Sequence, residues 1–287
     1  SIDDLTNKPQ IGKSALNVLK EYMETGTVTM IEKAKKDPTY VLSNVFGIGP
    51  KKSRDLVNNH NINSIAELRQ REDLLNTNQK LGLKYYEDIM KRIPRDEIVR
   101  YERELTTAFN MLHTSTATFQ IVGSYRRGAK DSGDIDIIIT DTNSSSTVFN
   151  DFLDLLIERK LLIEVLTRGN VKSLGISQLR RKPARRIDFM FTPKEEYAFA
   201  VLYFTGSKTF NTIMRARALE MGYSMNEHGL YEMVNKKKGL RLNQYFPDEK
   251  SIFKFLGMVY KEPHERIDGN SAEYINTTNH NLTTHNK

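Results

Sequence analysis

The sequence predicts an α+β fold in which a run of helices precedes a β-sheet with flanking helices. Two observations predict it. Apolar residues recur at helical spacing in the first part of the chain, whereas residues 119–122, 134–140 and 187–191 are short apolar runs typical of strands. A length of 287 residues is sufficient for a sizeable core and for two or more subdomains.

The helices are predicted from apolar residues three and four positions apart. Residues 14–23 should form an amphipathic helix that stops at Gly26, and residues 96–112 a longer helix with one core-facing stripe. Residues 195–204 and 209–221 are predicted as two further helices. The serine run 144–146 should cap one more helix, whose buried face is formed by Phe152, Leu155, Leu156 and Ile157.

The glycine turn Gly47-Ile48-Gly49 is the first motif with a chemical meaning. We expect two helices to flank it, one beginning near Ser53 and one at Ser64, which starts the Ser-x-x-Glu spacing of a capping box. Glycines permit positive φ angles there, so backbone N–H groups can approach an anion beside a helix N-terminus. The pattern indicates a helix-hairpin-helix that binds a DNA backbone. The alternative is a plain glycine-rich connection beside two solvated lysines, Lys51 and Lys52.

Asp134 and Asp136 lie in one apolar strand. Because side chains alternate between the faces of a strand, both carboxylates point the same way and repel each other. Asp188 leaves a second strand on the face opposite to Ile187 and Phe189, as a third ligand on a neighbouring strand would. Burying unpaired carboxylates is costly, and a bound divalent cation removes that cost. Hard oxygen ligands suit magnesium or manganese.

Glycine and arginine residues accompany these acids along the chain. Residues 123–128 read GSYRRG, residues 133–136 read GDID, and residues 186–188 read RID. Glycines let the backbone approach a phosphate closely, and arginines add permanently charged donors. Three acids with such a loop predict a metal-dependent nucleotidyl transfer site.

Composition narrows the partners and the chemistry. A formal net charge of +7 favours a polyanionic partner, most simply nucleic acid, because the release of phosphate counterions drives such binding. The absence of cysteine excludes disulfides, thiolate chemistry and cysteine zinc sites, which suits a reducing compartment. No apolar run approaches the roughly 20 residues of a membrane span, and no signal peptide is visible, so no membrane association is expected.

In these motifs the chain resembles the family X DNA polymerases, the group that includes DNA polymerases beta and lambda. The resemblance runs from about Pro9 to Arg266 and rests on GSYRRG, GDID, RRID and, at residues 202–207, LYFTGS, all in the family order. Poly(A) polymerases and small-molecule nucleotidyltransferases share the Gly-Ser and Asp-x-Asp elements, but not the last motif or the helix-hairpin-helix.

The resemblance implies a mixed β-sheet palm of the nucleotidyltransferase type and a small α+β C-terminal subdomain that selects the nucleotide. The implied parts are a remnant of a lyase-like helical domain with a degenerate helix-hairpin-helix (1–33), a DNA-binding helix-hairpin-helix subdomain (34–94), the catalytic palm (95–194), a subdomain that binds the nascent base pair (195–266) and a polar, disordered tail (267–287).

The resemblance also implies the roles of the acids. Asp134 and Asp136 would bridge two magnesium ions about 3.5–4 Å apart, with manganese as a substitute. Asp188 would bind only the ion that meets the primer 3′ oxygen, and pyrophosphate would leave. The alternative is that the aspartates merely form ion pairs with neighbouring arginines such as Arg186.

The remaining site residues are carried over from the family positions. The triphosphate, sugar and base of a dNTP would contact Arg92, Gly123, Ser124, Arg127, Gly133, Tyr203, Phe204, Gly206 and Asn211. The turn after Tyr203 should crowd a 2′ hydroxyl and so favour deoxynucleotides. DNA would contact Gly47, Gly49, Lys51, Lys52, Lys172, Arg186 and Arg215, with a monovalent cation at the helix-hairpin-helix.

Two departures from polymerase beta, and one difference from terminal transferases, refine the expectation. Val18 occupies the position of the Schiff-base lysine, and since valine cannot form an imine, lyase activity is predicted to be absent. Met190 replaces an arginine, which makes lambda-like members the closer model and predicts little closure on nucleotide binding. The segment 178–186 is short, whereas terminal transferases carry a longer loop, so templated synthesis is favoured.

The function predicted from the sequence is therefore template-directed filling of short DNA gaps in repair or end joining. The expected partners are gapped or broken double-stranded DNA, dNTPs and repair or end-joining proteins, with the chain acting as a monomer. The location would be nuclear in a eukaryote and otherwise intracellular. The alternatives are a template-independent terminal nucleotidyltransferase and a non-catalytic module that binds DNA ends.

Overall fold

A computed structural model of the chain describes residues 12–275. Residues 1–11 of the predicted lyase-like remnant and residues 276–287 of the predicted polar tail lie outside the described residues. Contacts divide the chain into two compact units on either side of the bond between Tyr86 and Glu87. The described part of the first unit is helical, and the second combines helices with β-sheets. The predicted α+β fold is confirmed.

The first unit packs short helices around one apolar core. Buried Leu42, Leu56, Leu68 and Leu83 belong to this core. The amphipathic helix α1 ends, as predicted, where Gly26 adopts φ +72°. The helices are α1 (Lys13–Thr25), α2 (Thr29–Lys35), α3 (Pro38–Ser43), α4 (Pro50–His60), α5 (Ile65–Arg69) and α6 (Thr77–Lys84).

The helices that flank the glycine turn differ from the prediction. The turn lies between α3 and α4, and not between α4 and the helix that begins after Ser64. The sequence signal for α3 is the pair Asp37-Pro38, which is typical of a helix start and precedes the turn. In the structure Asp37 accepts hydrogen bonds from the backbone N–H groups of Thr39 and Tyr40, and Pro38 occupies the first helical turn. Gly47 has φ +84°, as such a turn requires.

The predicted capping box at Ser64 forms only in part. The Ser64 side chain accepts from the Glu67 N–H at 3.2 Å, as predicted. The Glu67 carboxylate instead accepts from the N–H of Asn63 at 2.7 Å, one residue before the expected donor. Helix α5 is therefore capped by two neighbouring residues.

A five-stranded sheet forms the centre of the second unit, with strand order β2-β4-β7-β6-β5. The central pair β4–β7 is parallel and the other pairs are antiparallel, so the sheet is mixed, as predicted. A separate two-stranded pair joins β1 (Ile93–Pro94) to β3 (Asp131–Ser132). The strands of the main sheet are β2 (Ala117–Ile121), β4 (Ile135–Asp141), β5 (Leu162–Arg168), β6 (Lys172–Gln178) and β7 (Ala184–Phe191).

Two long helices cover one face of this sheet. After the short helix α7 (Tyr86–Ile89), α8 (Arg95–Asn110) and α10 (Thr147–Glu158) pack with the strands in one core. Phe152 and Leu156 are buried as predicted, but Ile157 is 39% exposed. Compared with the prediction, the buried face of α10 is rotated about the helix axis, so that it also includes Val148, Phe149 and Leu153. Ser146 occupies the cap position of α10 without a side-chain hydrogen bond.

The C-terminal part of the second unit is a smaller α+β assembly. Its helices are α11 (Tyr197–Thr205), α12 (Lys208–Glu220) and α13 (Glu249–Phe255), and its three-stranded sheet contains β8 (Tyr223–Asn226), β9 (Gly229–Val234) and β10 (Lys237–Arg241). Residues 273–275, predicted to belong to a disordered tail, instead pair with the chain after α13. The Val259 N–H donates to the Glu273 oxygen, and the Ile275 N–H donates to the Gly257 oxygen.

Candidate active site

The three predicted acids lie together at one end of the central strand pair. Asp136 on β4 lies opposite Asp188 on β7 in the parallel register, and Asp134 immediately precedes β4. One carboxylate oxygen from each residue lies within 4.8 Å of the others, and all three residues are half-buried. Asp134 and Asp136 are two positions apart at the start of β4, and the register of β4 with β7 adds Asp188 to them.

The electrostatics of the cluster are unfavourable without a cation. Burial, followed by repulsion from Asp134 and Asp188, raises the pKa of Asp136 to about 7. Burial also raises the pKa of Asp188, although the charge and hydrogen bonds of Arg186 oppose this effect. Within residues 12–275, neither Asp134 nor Asp136 forms an ion pair. Three converging carboxylates that are partly buried and repel one another fit a divalent metal ion, which prefers hard oxygen donors.

Asp188 has a cationic neighbour on its own strand. Nη2 of Arg186 lies 2.7 and 2.6 Å from the two oxygens of the Asp188 carboxylate. The ion pair with Arg186, the alternative role predicted from the sequence for the aspartates, is therefore present for Asp188. The predicted contact of Arg186 with DNA remains a prediction.

The loop between β2 and β4 approaches the acids closely. It begins with the single turn α9 (Gly123–Arg126), in which Gly123 has φ +64°. A Cβ atom on Gly123 would lie 2.7 Å from Oδ2 of Asp136, so only glycine leaves the carboxylate its place. The Ser124 hydroxyl donates to the Ser132 hydroxyl at 2.7 Å, and Ser132 is buried.

The two arginines of the loop turn to different partners. Nη1 of Arg127 donates to the Thr205 carbonyl oxygen at 2.5 Å, at the end of α11. Arg126 instead forms an ion pair with Glu249 at 2.6 Å. Burial lowers the pKa of Arg127.

A cleft of about 590 Å³ lies beside the acids and belongs wholly to the second unit. Its lining includes Asp134, Asp136, Arg215 and every residue that the sequence predicted for the nucleotide, from Arg92 to Asn211. Lys172, Arg186 and Asp188 are outside this lining. Sequence reasoning missed two lining residues, Lys208 and Thr212, which follow the LYFTGS motif on α12 and carried no separate signal.

The far wall of the cleft is the turn between α11 and α12. Tyr203 and Phe204 pack edge to face, with ring centroids 5.1 Å apart. The Asn211 amide donates to the Tyr203 carbonyl oxygen at 2.6 Å and thereby closes the turn. Gly206 has φ +72°, and the peptide bond between Gly206 and Ser207 is cis.

The predicted DNA-binding residues of the first unit lie at the glycine turn. Gly49 precedes Pro50 at the N-terminus of α4, and the carbonyl oxygen of Gly47 accepts a hydrogen bond from the Gln79 side chain at 2.9 Å. Lys51 is exposed, while Lys52 lies 3.3 Å from Asp55. A hydrogen bond from α6 therefore supports the turn, and Lys51 is accessible to solvent.

Sequence comparison identifies the parts of the chain. Residues 41–90 match the family model of the fingers domain of DNA polymerase lambda, residues 92–194 match the DNA polymerase beta palm, and residues 200–267 match the DNA polymerase beta thumb. The range of the palm match contains the mixed sheet and the three acids.

Similar whole proteins agree with these matches. The chain is 31% identical to DNA polymerase lambda of Rattus norvegicus over 283 residues and 31% identical to DNA polymerase lambda of Arabidopsis thaliana over 290 residues. It is 26% identical to the DNA nucleotidylexotransferase of Xenopus laevis over 310 residues. Each match covers 93% of this chain but only 49%, 54% and 60% of the respective relative. The chain belongs to the family X DNA polymerases and spans about half the length of the lambda polymerases that it matches.

No helix between residues 12 and 275 is both long enough and apolar enough to cross a membrane.

The raised pKa of Asp136 leads to a prediction about the metal-free protein. The carboxyl ionises near pH 3.8 in an unfolded chain but near 7 when folded, so the folded state binds more protons between these values. The stability that this group contributes is therefore present at low pH and lost as the pH rises toward 7. Thermal unfolding in a chelator at about pH 5 and about pH 8 should show a fall in Tm that Asp136→Asn reduces.

A divalent ion should reverse this loss. Adding Mn²⁺ at about pH 8 should raise the Tm of the wild-type protein, because the bound ion compensates the buried carboxylates. The same addition should have a smaller effect on Asp136→Asn. Equal pH dependence and equal Mn²⁺ response in the two proteins would contradict a metal site at this residue.

Proposed function

We propose that this chain is a template-directed DNA polymerase that fills short gaps by transferring a nucleotide from a dNTP to a primer 3′ hydroxyl, with release of pyrophosphate. One observation carries the proposal. Three carboxylates converge beside a cleft that is lined by a Gly-Ser-Arg loop and by the Tyr-Phe turn. Membership of the family X DNA polymerases supports the same conclusion.

The acids would hold two Mg²⁺ ions, for which Mn²⁺ can substitute because the same oxygen ligands accept both. When bound, these ions supply charge that acidifies the 3′ hydroxyl and stabilises the departing pyrophosphate. Asp134 and Asp136 would contact both ions, and Asp188 would contact the one nearest the primer. Asp188 can accept the hydrogen bonds from Arg186 and still offer lone pairs to this ion, because an ionised carboxylate has about four acceptor sites.

The cleft lining would orient the nucleotide. Ser124, Arg127 and Arg92, with the backbone of Gly133, would bind the triphosphate through charge-assisted hydrogen bonds. The turn at Tyr203 would exclude a 2′ hydroxyl, since the backbone there is fixed by the Asn211 amide. Deoxynucleotides would consequently be preferred.

DNA would be bound by the helix-hairpin-helix subdomain (34–94), the palm (95–194) and the subdomain for the nascent base pair (195–266). The glycine turn of the first unit, with Lys51 and a monovalent cation, would hold backbone phosphate, and Lys172, Arg186 and Arg215 would hold the strands near the acids. In the cell we propose gapped or broken DNA as the partner, with repair or end-joining proteins, a monomeric chain and a nuclear location if the source is eukaryotic.

Template-independent addition is the second candidate, because a DNA nucleotidylexotransferase is among the relatives. The connection between β6 and β7 favours templated synthesis, since only residues 179–183 separate these antiparallel strands. A turn of this length leaves little chain that could occupy the place of a template strand.

The direct test is extension of a labelled primer on one-nucleotide-gapped DNA, with each dNTP supplied separately and a single-stranded primer in parallel. Addition of only the complementary nucleotide in the gap is expected. Equal addition of any nucleotide to the single strand would identify a terminal transferase. No addition to either substrate, with DNA binding intact, would favour a non-catalytic module.

We also predict that the chain lacks efficient 5′-deoxyribose-phosphate lyase activity. Val18 on α1 takes the family position of the lysine that forms an imine, and its side chain carries no amine. Borohydride should therefore fail to trap the chain on DNA with an incised abasic site, while Val18→Lys provides the comparison. Efficient trapping of the wild-type chain would refute this prediction.

A further inference from the structure

The backbone of Arg92 is fixed at the edge of the cleft. Its neighbour Ile93 is buried and pairs with Ser132 between β1 and β3. Nη1 of Arg185 lies 3.4 Å from the Arg92 carbonyl oxygen, and Arg185 is itself held by a buried two-point ion pair with Glu97. The side chain of Arg92 therefore starts from a rigid position.

Asp131 fixes the other end of this side chain. Nε and Nη2 of Arg92 donate to Oδ1 of Asp131 at 2.9 and 2.7 Å, and Nη2 also donates to the Asp131 backbone oxygen at 3.0 Å. Three hydrogen bonds set the plane of the guanidinium, although the pair is partly exposed and its net Coulomb energy is small.

The orientation leaves one edge of the guanidinium facing the cleft. Nη1 of Arg92 makes no hydrogen bond to another residue between 12 and 275. It lies 3.3 Å from the position that a Cβ atom on Gly133 would occupy, and both residues line the cleft. A phosphate oxygen over Gly133 would meet this nitrogen.

The same short strand orients a second group of the cleft. Ser132, which follows Asp131 in β3, accepts the hydrogen bond from the Ser124 hydroxyl at 2.7 Å. Two adjacent residues of β3 thus hold an arginine that is 39 positions away and a hydroxyl that is eight positions away, both of which line one cleft. This convergence is what distinguishes Asp131 from an ordinary surface acid.

We propose that Asp131 is a positioning residue for the triphosphate of the incoming nucleotide and that it acts through Arg92; this inference rests on the function proposed above. An arginine that is ordered before the nucleotide binds spares the complex the entropy of ordering it. The negative charge of Asp131 opposes the triphosphate, but solvent screens this repulsion more than a direct hydrogen bond from Nη1. Preorganisation therefore outweighs repulsion.

The test is the steady-state kinetics of the complementary dNTP on one-nucleotide-gapped DNA. Asp131→Ala should raise KM about three- to tenfold and leave kcat within about twofold, because immobilising one side chain is worth up to a factor of about ten. Asp131→Asn keeps the Oδ1 acceptor and should stay within about twofold of wild type.

A double-mutant cycle shows whether the effect passes through Arg92. In an Arg92→Ala background, adding Asp131→Ala should change KM no further. Asp154→Ala is the matched control, since it removes a similar ion pair with Arg168 outside the cleft. A lower KM in Asp131→Ala would overturn the proposal by showing that the carboxylate competes with phosphate. An equal increase with and without Arg92 would overturn it by showing a structural role.

Failure of the proposed function would be recognised separately. If the wild-type chain adds no nucleotide to gapped DNA, the polymerase proposal fails. The role of Asp131 can then still be decided by equilibrium binding of dATP in Mn²⁺. The four proteins compared are the wild type, Asp131→Ala, Arg92→Ala and the double variant. A three- to tenfold loss that depends on Arg92 is expected, and the absence of that loss would overturn the inference.

Discussion

Asp136→Asn is expected to reduce single-nucleotide incorporation on gapped DNA by on the order of 10³-fold or more. The substitution keeps the shape of a half-buried side chain but removes the charge that binds metal between Asp134 and Asp188. Metal coordination of this kind is worth several kcal/mol of transition-state stabilisation, and about 1.4 kcal/mol corresponds to a factor of ten in rate.

DNA affinity separates this loss from misfolding. Asp136→Asn should bind gapped DNA at least as well as the wild-type protein, because it removes a negative charge near the DNA-binding residues. Asp151→Asn, on the exposed face of α10, is the matched control and should keep full activity. Incorporation by Asp136→Asn within about tenfold of wild type would contradict the assignment of this acid to the metal site.

Glu249→Ala should cost about 3–5 kcal/mol of unfolding free energy, because it leaves two arginines without a counter-ion. Arg126 lies 2.6 Å from one Glu249 oxygen, and Arg266, which is fully buried, lies 2.6 Å from the other. Burial alone would raise the pKa of Glu249, but the hydrogen bonds from both arginines outweigh it and lower the pKa.

Urea unfolding of purified variants measures this loss. Glu220→Ala, which removes an exposed ion pair with Arg217, should cost no more than about 1 kcal/mol. Glu249→Gln keeps the hydrogen-bond acceptors and should fall between the two. A cost below about 1 kcal/mol for Glu249→Ala would show that water or a rearranged side chain replaces the carboxylate.

Local patterns were sufficient to predict the acids and the fold class. The predicted strand period of two put Asp134, just before β4, and Asp136, within it, on one face, and the apolar alternation around Asp188 put that acid on the matching face of β7. Helix predictions from apolar spacing were correct to within a few residues for α1, α8, α11 and α12. These features depend on neighbours in sequence, which is why they can be read from it.

Features that depend on distant residues could not be predicted. Nothing in GSYRRG shows that Arg126 pairs with Glu249, 123 positions later, while Arg127 turns to the end of α11. The contact between Arg92 and Asp131 depends on the pairing of two-residue strands, which carry no periodic signal. Local reasoning also misplaced the helices at the glycine turn and the buried face of α10, because tertiary packing chooses between similar apolar patterns.

The central claim is that Asp134, Asp136 and Asp188 hold the metal ions of nucleotidyl transfer. Anomalous diffraction from crystals of the chain with gapped DNA, a non-hydrolysable dNTP and Mn²⁺ tests it most directly. The account predicts anomalous peaks within coordination distance of all three carboxylates. Manganese bound elsewhere, in a complex that carries both DNA and nucleotide, would contradict it.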